Sequence, residues 1–167
     1  VAVVGAVGQG VAGARWEQIS NKHDCVIRNA DPKPRETVTW SGACVNGRAH
    51  GHGTQVWRYF EDGQWREQVS TGKISSGRNS GRSVVVYADG RRYEGESFDG
   101  YHNGQGVMIY PGGNRYEGRW RWGKAHGIGV LVMADGFRME GDWTNGCLRI
   151  GERVAAVGTA ESACGTD

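Results

Sequence analysis

Proline is scarce in this chain, with three residues in 167, and no Gly-X-Y period runs through it, so a collagen-like rod is excluded despite 29 glycines. No CxxC pair occurs, which removes the usual zinc and thioredoxin-type arrangements. No basic run is long enough to mark a nucleic-acid footprint, and the net charge is only +2. The uncharged opening stretch, residues 1–14, falls short of the roughly 20 residues that a transmembrane helix needs.

What is abundant narrows the choice further. Glycine stands at more than twice its average share of about 7%. Seven Trp, six Tyr and three Phe supply aromatic mass that disordered chains lack. Together they suggest many tight turns between aromatic-bearing strands. Residues 1–14, VAVVGAVGQGVAGA, read as the apolar part of a secretory signal peptide with a small-x-small site at Ala12-Gly13-Ala14. A short buried strand or a flexible tail is the alternative. Cys25, Cys44, Cys147 and Cys164 fit export. Four cysteines allow three pairings. Cys25–Cys44 with Cys147–Cys164 would clip each end segment onto the middle of the chain; free buried thiols are the alternative. The expected organisation is a leader over 1–14, an N-terminal segment over 15–39, a repeat region over 40–146 and a C-terminal tail over 147–167, in a secreted or periplasmic protein.

A step of 23 residues relates Ser70-Thr71-Gly72, Tyr93-Glu94-Gly95, Tyr116-Glu117-Gly118 and Met139-Glu140-Gly141. Glycines recur with it: Gly95, Gly100, Gly104, Gly106 and Gly113 in one unit, Gly118, Gly123, Gly127, Gly129 and Gly136 in the next. The unit from Ser70 departs most, with Ser70 in the aromatic slot and Ser83 in a glycine slot. Asp62-Gly63, Asp89-Gly90, Gly112-Gly113 and Asp135-Gly136 predict two-residue hairpin turns with positive φ at both central residues. Backbone geometry thus accounts for the glycines, and a phosphate-binding GxGxxG reading fails for want of a flanking apolar strand and helix.

Two-residue turns set a register. They place Val86 opposite Tyr93, Ile109 opposite Tyr116 and Val132 opposite Met139. That predicts a core face of Val107, Ile109, Tyr116, Val130, Val132, Trp120 and Trp143. The other, mixed face then carries Tyr87, Arg92, Tyr110, Arg115, Arg119, Met133 and Arg138 among Met108, Leu131 and the recurring Glu117 and Glu140. With Trp57, Trp65 and Trp122 these are the candidate binding-face residues. A solvated face of satisfied ion pairs is the bland reading; a shallow groove for a ligand or protein is the sharper one. The first unit spans 30 residues from Trp40 to Ser70, which predicts a longer hairpin arm with one β-bulge.

Little in the sequence points to catalysis. His50-Gly51-His52 comes nearest to a metal pair, but His50 and His126 share one repeat slot, so a loop role is expected. A dyad of His23 with Cys25 would need a free thiol. Glu94, Glu117 and Glu140 recur with the period, as ladder residues do. No catalytic, cofactor-binding or metal-binding residue is assigned, and no cofactor is expected.

Tyr116-Glu117-Gly118 through Gly123-Lys124-Ala125-His126-Gly127-Ile128-Gly129 resembles a complete MORN motif. In-phase copies extend the resemblance from about Trp40 to Gly146, and Glu36 through Cys44 is similar to the opening of exported bacterial MORN proteins. The resemblance implies an all-β fold: an elongated antiparallel meander of β-hairpin repeats in a single twisted sheet. It also implies a non-catalytic surface for protein–protein interaction or envelope scaffolding. A protein partner is expected first. A membrane lipid is an alternative, since Arg91, Arg92, Arg115, Arg119, Arg121 and Arg138 form part of a basic patch, although neighbouring Glu residues cancel much of it. A glycan is another, with Trp57, Trp65 and Trp122 as platforms. Nucleic acid is not expected.

Overall fold

Glycines of positive φ mark both the turns and the bulges of this chain. The computed structural model describes residues 13–165; the expected signal peptide lies outside the described residues, save for Gly13 and Ala14. The N-terminal segment forms β1 (Arg15–Gln18), β2 (Val26–Asn29), β3 (Thr37–Trp40) and β4 (Ala43–Val45). The repeat region follows as β5 (Arg48–Glu61), β6 (Gln64–Ser75), β7 (Arg78–Val86) and β8 (Arg92–Phe98). It continues through β9 (Tyr101–Ile109), β10 (Arg115–Arg121), β11 (Lys124–Val132) and β12 (Arg138–Trp143). From β5 to β12 each strand pairs antiparallel with the next, and with β1 to β4 they make a 12-stranded sheet. A separate hairpin of β13 (Cys147–Ile150) and β14 (Arg153–Ala156) leads to a short 3-10 turn, Glu161–Cys164. The fold is the all-β hairpin meander expected from the sequence. Cys25 bonds to Cys44 and Cys147 to Cys164, the pairing that clips each end segment to the array.

The turns at the two ends of the strands differ in kind. At one end Asn46-Gly47, Ser76-Gly77, Asp99-Gly100, Trp122-Gly123 and Asn145-Gly146 are two-residue turns with positive φ at both positions. At the other end only Asp62-Gly63 is of that kind. The expected two-residue turns at Asp89-Gly90, Gly112-Gly113 and Asp135-Gly136 are three-residue loops instead. Tyr87 N–H donates to Arg91 O at 2.9 Å, Tyr110 to Asn114 at 2.9 Å and Met133 to Phe137 at 2.8 Å. Ala88, Pro111 and Ala134 therefore belong to the loops. Gly90 and Gly136 have positive φ but Asp89 and Asp135 do not. Pro111 followed by Gly112 at positive φ suits a type II turn.

One extra loop residue moves the partner strand by one and turns its side chains over. Tyr93 lies opposite Val85, Tyr116 opposite Met108 and Met139 opposite Leu131. The core face is thus Val85, Met108 and Leu131 with Tyr93, Tyr116, Trp120, Met139 and Trp143. This corrects half of the predicted face. The aromatic strands were placed rightly, whereas Ile109 is exposed and Val107, Val130 and Val132 are only half-buried. Tyr87, Tyr110 and Met133, expected on the mixed face, turn to the core side with them.

The long first arm also differs from expectation. β5 and β6 pair without interruption from Gly51 opposite Ile74 to Glu61 opposite Gln64, with no bulge. The partners Gly53 and Gly72 are 19 apart, against 12 for Gly106 and Gly118. Four more residues in each arm, less one in the turn, make up the seven. Bulges occur elsewhere, one in each of the units that open at Ser70, Tyr93 and Tyr116. Lys73, Glu96 and Arg119 each face three residues on the next strand, centred on Gly81, Gly104 and Gly127 with positive φ. A bulge bends the strand that bears it, and this one repeats in three successive units.

Candidate functional site: an aromatic groove between two clipped ends

In the units of Tyr93 and Tyr116 the core is a tyrosine lying over two glycines. Tyr116 is fully buried, its hydroxyl donating to Arg119 O at 3.0 Å, and Tyr93 repeats this with Glu96 O at 2.6 Å. A Cβ on Gly129 would come within 2.7 Å of Tyr116 Cζ, and closer still to its hydroxyl. Trp40 covers Gly42 and Gly53 in the same manner. In the unit that departs, both partners change together: Ser70 leaves no ring to accommodate, and Ser83 fills the second glycine slot, sharing a 2.7 Å hydrogen bond with Ser97.

A second compensation shapes the aromatic face. The cross-strand pairs Ile74–Asn79, Ser97–His102 and Trp120–Ala125 occupy one slot in successive units. Where Trp120 is large its partner is alanine. Ser97 is small, and His102 takes the space, stacking on Tyr93 with centroids 3.5 Å apart. Tyr87 and His102 Nε2 share a hydrogen bond of 2.7 Å, while His102 Nδ1 is buried without a partner. Burial holds the imidazole neutral, pushing its pKa down to about 3, with the Arg91 charge adding to the effect. Burial also raises the Tyr87 phenol well above its usual range and Tyr110 to about 12. Neither hydroxyl ionises near neutrality.

The sheet and its two end segments enclose a groove of about 690 Å³ on this face. Its floor includes Trp57, Tyr87, His102, Met108 and Trp120. One wall is the N-terminal segment around Arg28–Lys33, and the other is the tail around Gly158–Ala163. Each wall rests on a turn of the array. Ala30 packs on Gly100, where an added Cβ would meet Ala30 Cβ at 2.6 Å. Gly158 lies against Gly123 and Lys124, Ala125 N–H donates to Val157 O, and Gly146 N–H donates to Ala125 O.

The candidate residues do not all meet at one place. Trp57, Tyr87, Tyr110 and Trp122 meet at the groove. Arg92, Arg115 and Arg138 lie on the opposite face, each ion-paired to the glutamate two residues on, with Arg92–Glu94 at 3.0 Å and Arg138–Glu140 at 3.5 Å. These pairs run along a strand, not between strands. Arg119 is exposed at its bulge, Met133 packs against the core, and Trp65 stands at the tip of the long arm against Phe60. The sequence reading missed His102, Tyr59, Tyr101, Gln55 and Gln68, all of which line the groove. His102 carried a readable signal: it faces Ser97, the position at which the Trp120–Trp143 column stops.

His50 and His126 serve the same local role, as their shared slot implied. Each Nδ1 accepts from the first N–H of a two-residue turn, Ser76 at 3.4 Å and Asn145 at 3.5 Å. Among the described residues no group of three metal-ligating side chains converges.

A family model described as the MORN repeat matches residues 42–58, 93–115 and 116–138. No curated protein matches the chain. The unit from Ser70 to Arg92, which lacks both the ring and the second glycine, lies outside the matched segments. Three matched copies coincide with hairpins whose glycines and rings interlock as described, and on that ground the chain belongs to the MORN-repeat family.

Proposed function

We propose that this protein is a non-catalytic binding module that holds an extended, largely uncharged partner in the walled aromatic groove, as an exported component of a cell envelope. MORN repeats are in general non-catalytic modules for protein or membrane interaction. The observation that carries the reading is the placement of the two end segments. Each is tied down by a disulfide, and each closes one side of the same groove. Two bridges also suit an oxidising compartment. A groove of this size lies within the usual range for ligand sites, roughly 300–1,000 Å³.

An anionic lipid surface fits the groove least well, because its cations other than Lys124 are already paired. The opposite face is a poor candidate for the partner, since its arginines are spent on neighbouring glutamates and exposed pairs of this kind contribute little.

The test is capture from an envelope extract by two variants. One carries Gln68→Arg with Trp122→Asn in the groove; the other carries Arg92→Ala, Arg115→Ala and Arg138→Ala on the opposite face. Capture should fall at least tenfold with the first and stay within twofold of wild type with the second, with unchanged circular dichroism in both. The reverse order would place the partner on the outer face and overturn the reading.

A further inference from the structure

Trp122 stands where an aromatic side chain is conformationally costly. It is the first residue of a two-residue turn, with φ 50. A bulky residue with positive φ is an outlier, because its Cβ crowds the backbone. The same position in the other turns of this row is Asn46, Ser76, Asp99 and Asn145, all small and polar. Nor does Trp122 gain a buried site in return. It is 52% exposed at the rim of the groove, touching Tyr101 and Phe98 edge-on at 5.6 and 6.4 Å. Backbone strain at such a place marks a functional residue.

At the opposite side of the groove Trp57 is half-buried and fixed in orientation. Its indole N–H donates to Gln55 Oε1 at 2.9 Å, and Gln55 Nε2 donates to Asn79 Oδ1 at 3.0 Å. Trp57 is on β5 and Trp122 lies in the turn after β10, five strand spacings away, about 24 Å across the sheet at ~4.8 Å each. A ligand touching both must be a chain.

The charges lining the groove are largely cancelled in place. Lys33 pairs with Asp31 at 2.9 Å, Arg91 with Asp89 at 2.7 Å and Arg28 with Asp99 at 3.8 Å. Glu36 meets Arg15 at 3.1 Å. Lys124 is the one lining cation outside these pairs among the described residues. What the groove offers is aromatic rings and the amide of Gln68, beside the buried, unpartnered Nδ1 of His102. A pyranose chain is complementary to that set. Its axial C–H groups, weakly positive, pack on the negative ring face, and its hydroxyls can both donate to and accept from a side-chain amide such as Gln68. A phosphorylated or sulfated ligand would find only Lys124 unpaired to meet it among the described lining residues.

We propose that the groove binds an uncharged saccharide chain, with Trp122 and Trp57 as stacking platforms at its two sides. This rests on the groove being the binding site. The experiment titrates the full chain, followed by tryptophan fluorescence, with the hexamers of β-1,4-linked glucose, α-1,4-linked glucose and β-1,4-linked N-acetylglucosamine. Dextran sulfate, vesicles containing anionic lipid and an unrelated uncharged peptide form the other arms. At least one hexasaccharide should bind saturably, and Trp122→Asn should weaken it at least tenfold. That variant installs the residue found in the sister turns Asn46-Gly47 and Asn145-Gly146, so its melting temperature should not fall. Binding of a hexasaccharide that survives Trp122→Asn unchanged overturns the proposal. So does a lack of response to all three hexamers, or binding of only the sulfated polymer, the vesicles or the peptide. If the hexamers fail while the groove variant still loses its envelope partner, the groove stands and the saccharide does not. If the groove variant keeps its partner, the groove itself is wrong.

Discussion

The coupled change at Ser70 and Ser83 supplies a quantitative test of how each unit holds together. In the unit of Tyr116, the ring and Gly129 form one contact. Gly129→Ser would drive a Cβ to 2.7 Å from Tyr116 Cζ and 2.9 Å from Cε2. The ring is fully buried between Trp120 and Trp143, with centroids 5.0 and 5.2 Å away, and has nowhere to move. Overpacking of this kind costs about 1–3 kcal/mol or more. Tyr116→Ser alone removes a buried ring and leaves a cavity, costing about 3–5 kcal/mol by analogy with Phe→Ala. The double variant recreates the natural pairing of Ser70 with Ser83. The clash vanishes with the ring, so its cost should fall short of the sum of the single costs by about 1–3 kcal/mol, the coupling typical of touching residues. Urea unfolding of the four proteins, followed by tryptophan fluorescence, measures each term. Gly141→Ser serves as the control, because the nearest atom to a Cβ there is Leu148 Cδ1, at 2.9 Å, and a flexible leucine tip can yield. It should cost less than Gly129→Ser. Additive costs in the cycle would refute the account of the ring and the glycine as one contact.

Two further expectations follow from the groove and its walls. His102 is neutral when folded, its pKa pushed down to about 3 by burial, whereas the unfolded chain takes up a proton near pH 6.5. Stability should therefore be full above pH 6.5 and fall as pH drops from there towards 3, by several kcal/mol at about 1.4 kcal/mol per pKa unit. His102→Gln should flatten the melting temperature between pH 6.5 and 4, and an unchanged slope would mean that other groups govern it. The bridge Cys147–Cys164 spans 17 residues, for which chain entropy gives about 3 kcal/mol. Cys147→Ser with Cys164→Ser should lower stability by that order and speed tryptic cleavage at Arg149 and Arg153; equal cleavage rates would show that the tail is held without it.

Much of the fold was legible because glycine and aromatic residues recur at an interval that only hairpins explain. The disulfide pairing followed from where the cysteines fall relative to that interval. The face assignment failed in part because Asp-Gly serves two kinds of turn. It fits a two-residue turn, as at Asp62-Gly63, and equally the end of a three-residue loop, as at Asp89-Gly90. The distinguishing sign was Pro111. A proline cannot donate to a ladder and is favoured at the first inner position of a turn, so its slot, shared with Ala88 and Ala134, belonged in the loop. The groove was harder to read. Its walls come from residues 28–33 and 158–163, which carry no copy of the repeat, and only the folded chain brings them to Gly100 and Gly123.

Those two landing points limit how the protein can change in length. In an open array a hairpin can be added or lost anywhere, because each contacts only its neighbours. Here the first clipped segment reaches forward to the turn at Gly100 and the second reaches back to the turn at Gly123, adjacent turns in the same row. Inserting one hairpin between them would move the landing points apart by two strand spacings, about 10 Å. Both straps would still sit on their own turns, but a gap would open between them. An insertion before Gly100 or after Gly123 would instead ask a strap of fixed length to stretch. The number of hairpins is thus a gauge set by the reach of the straps, and lineages that vary it should show matched changes in the length of one strap or the other.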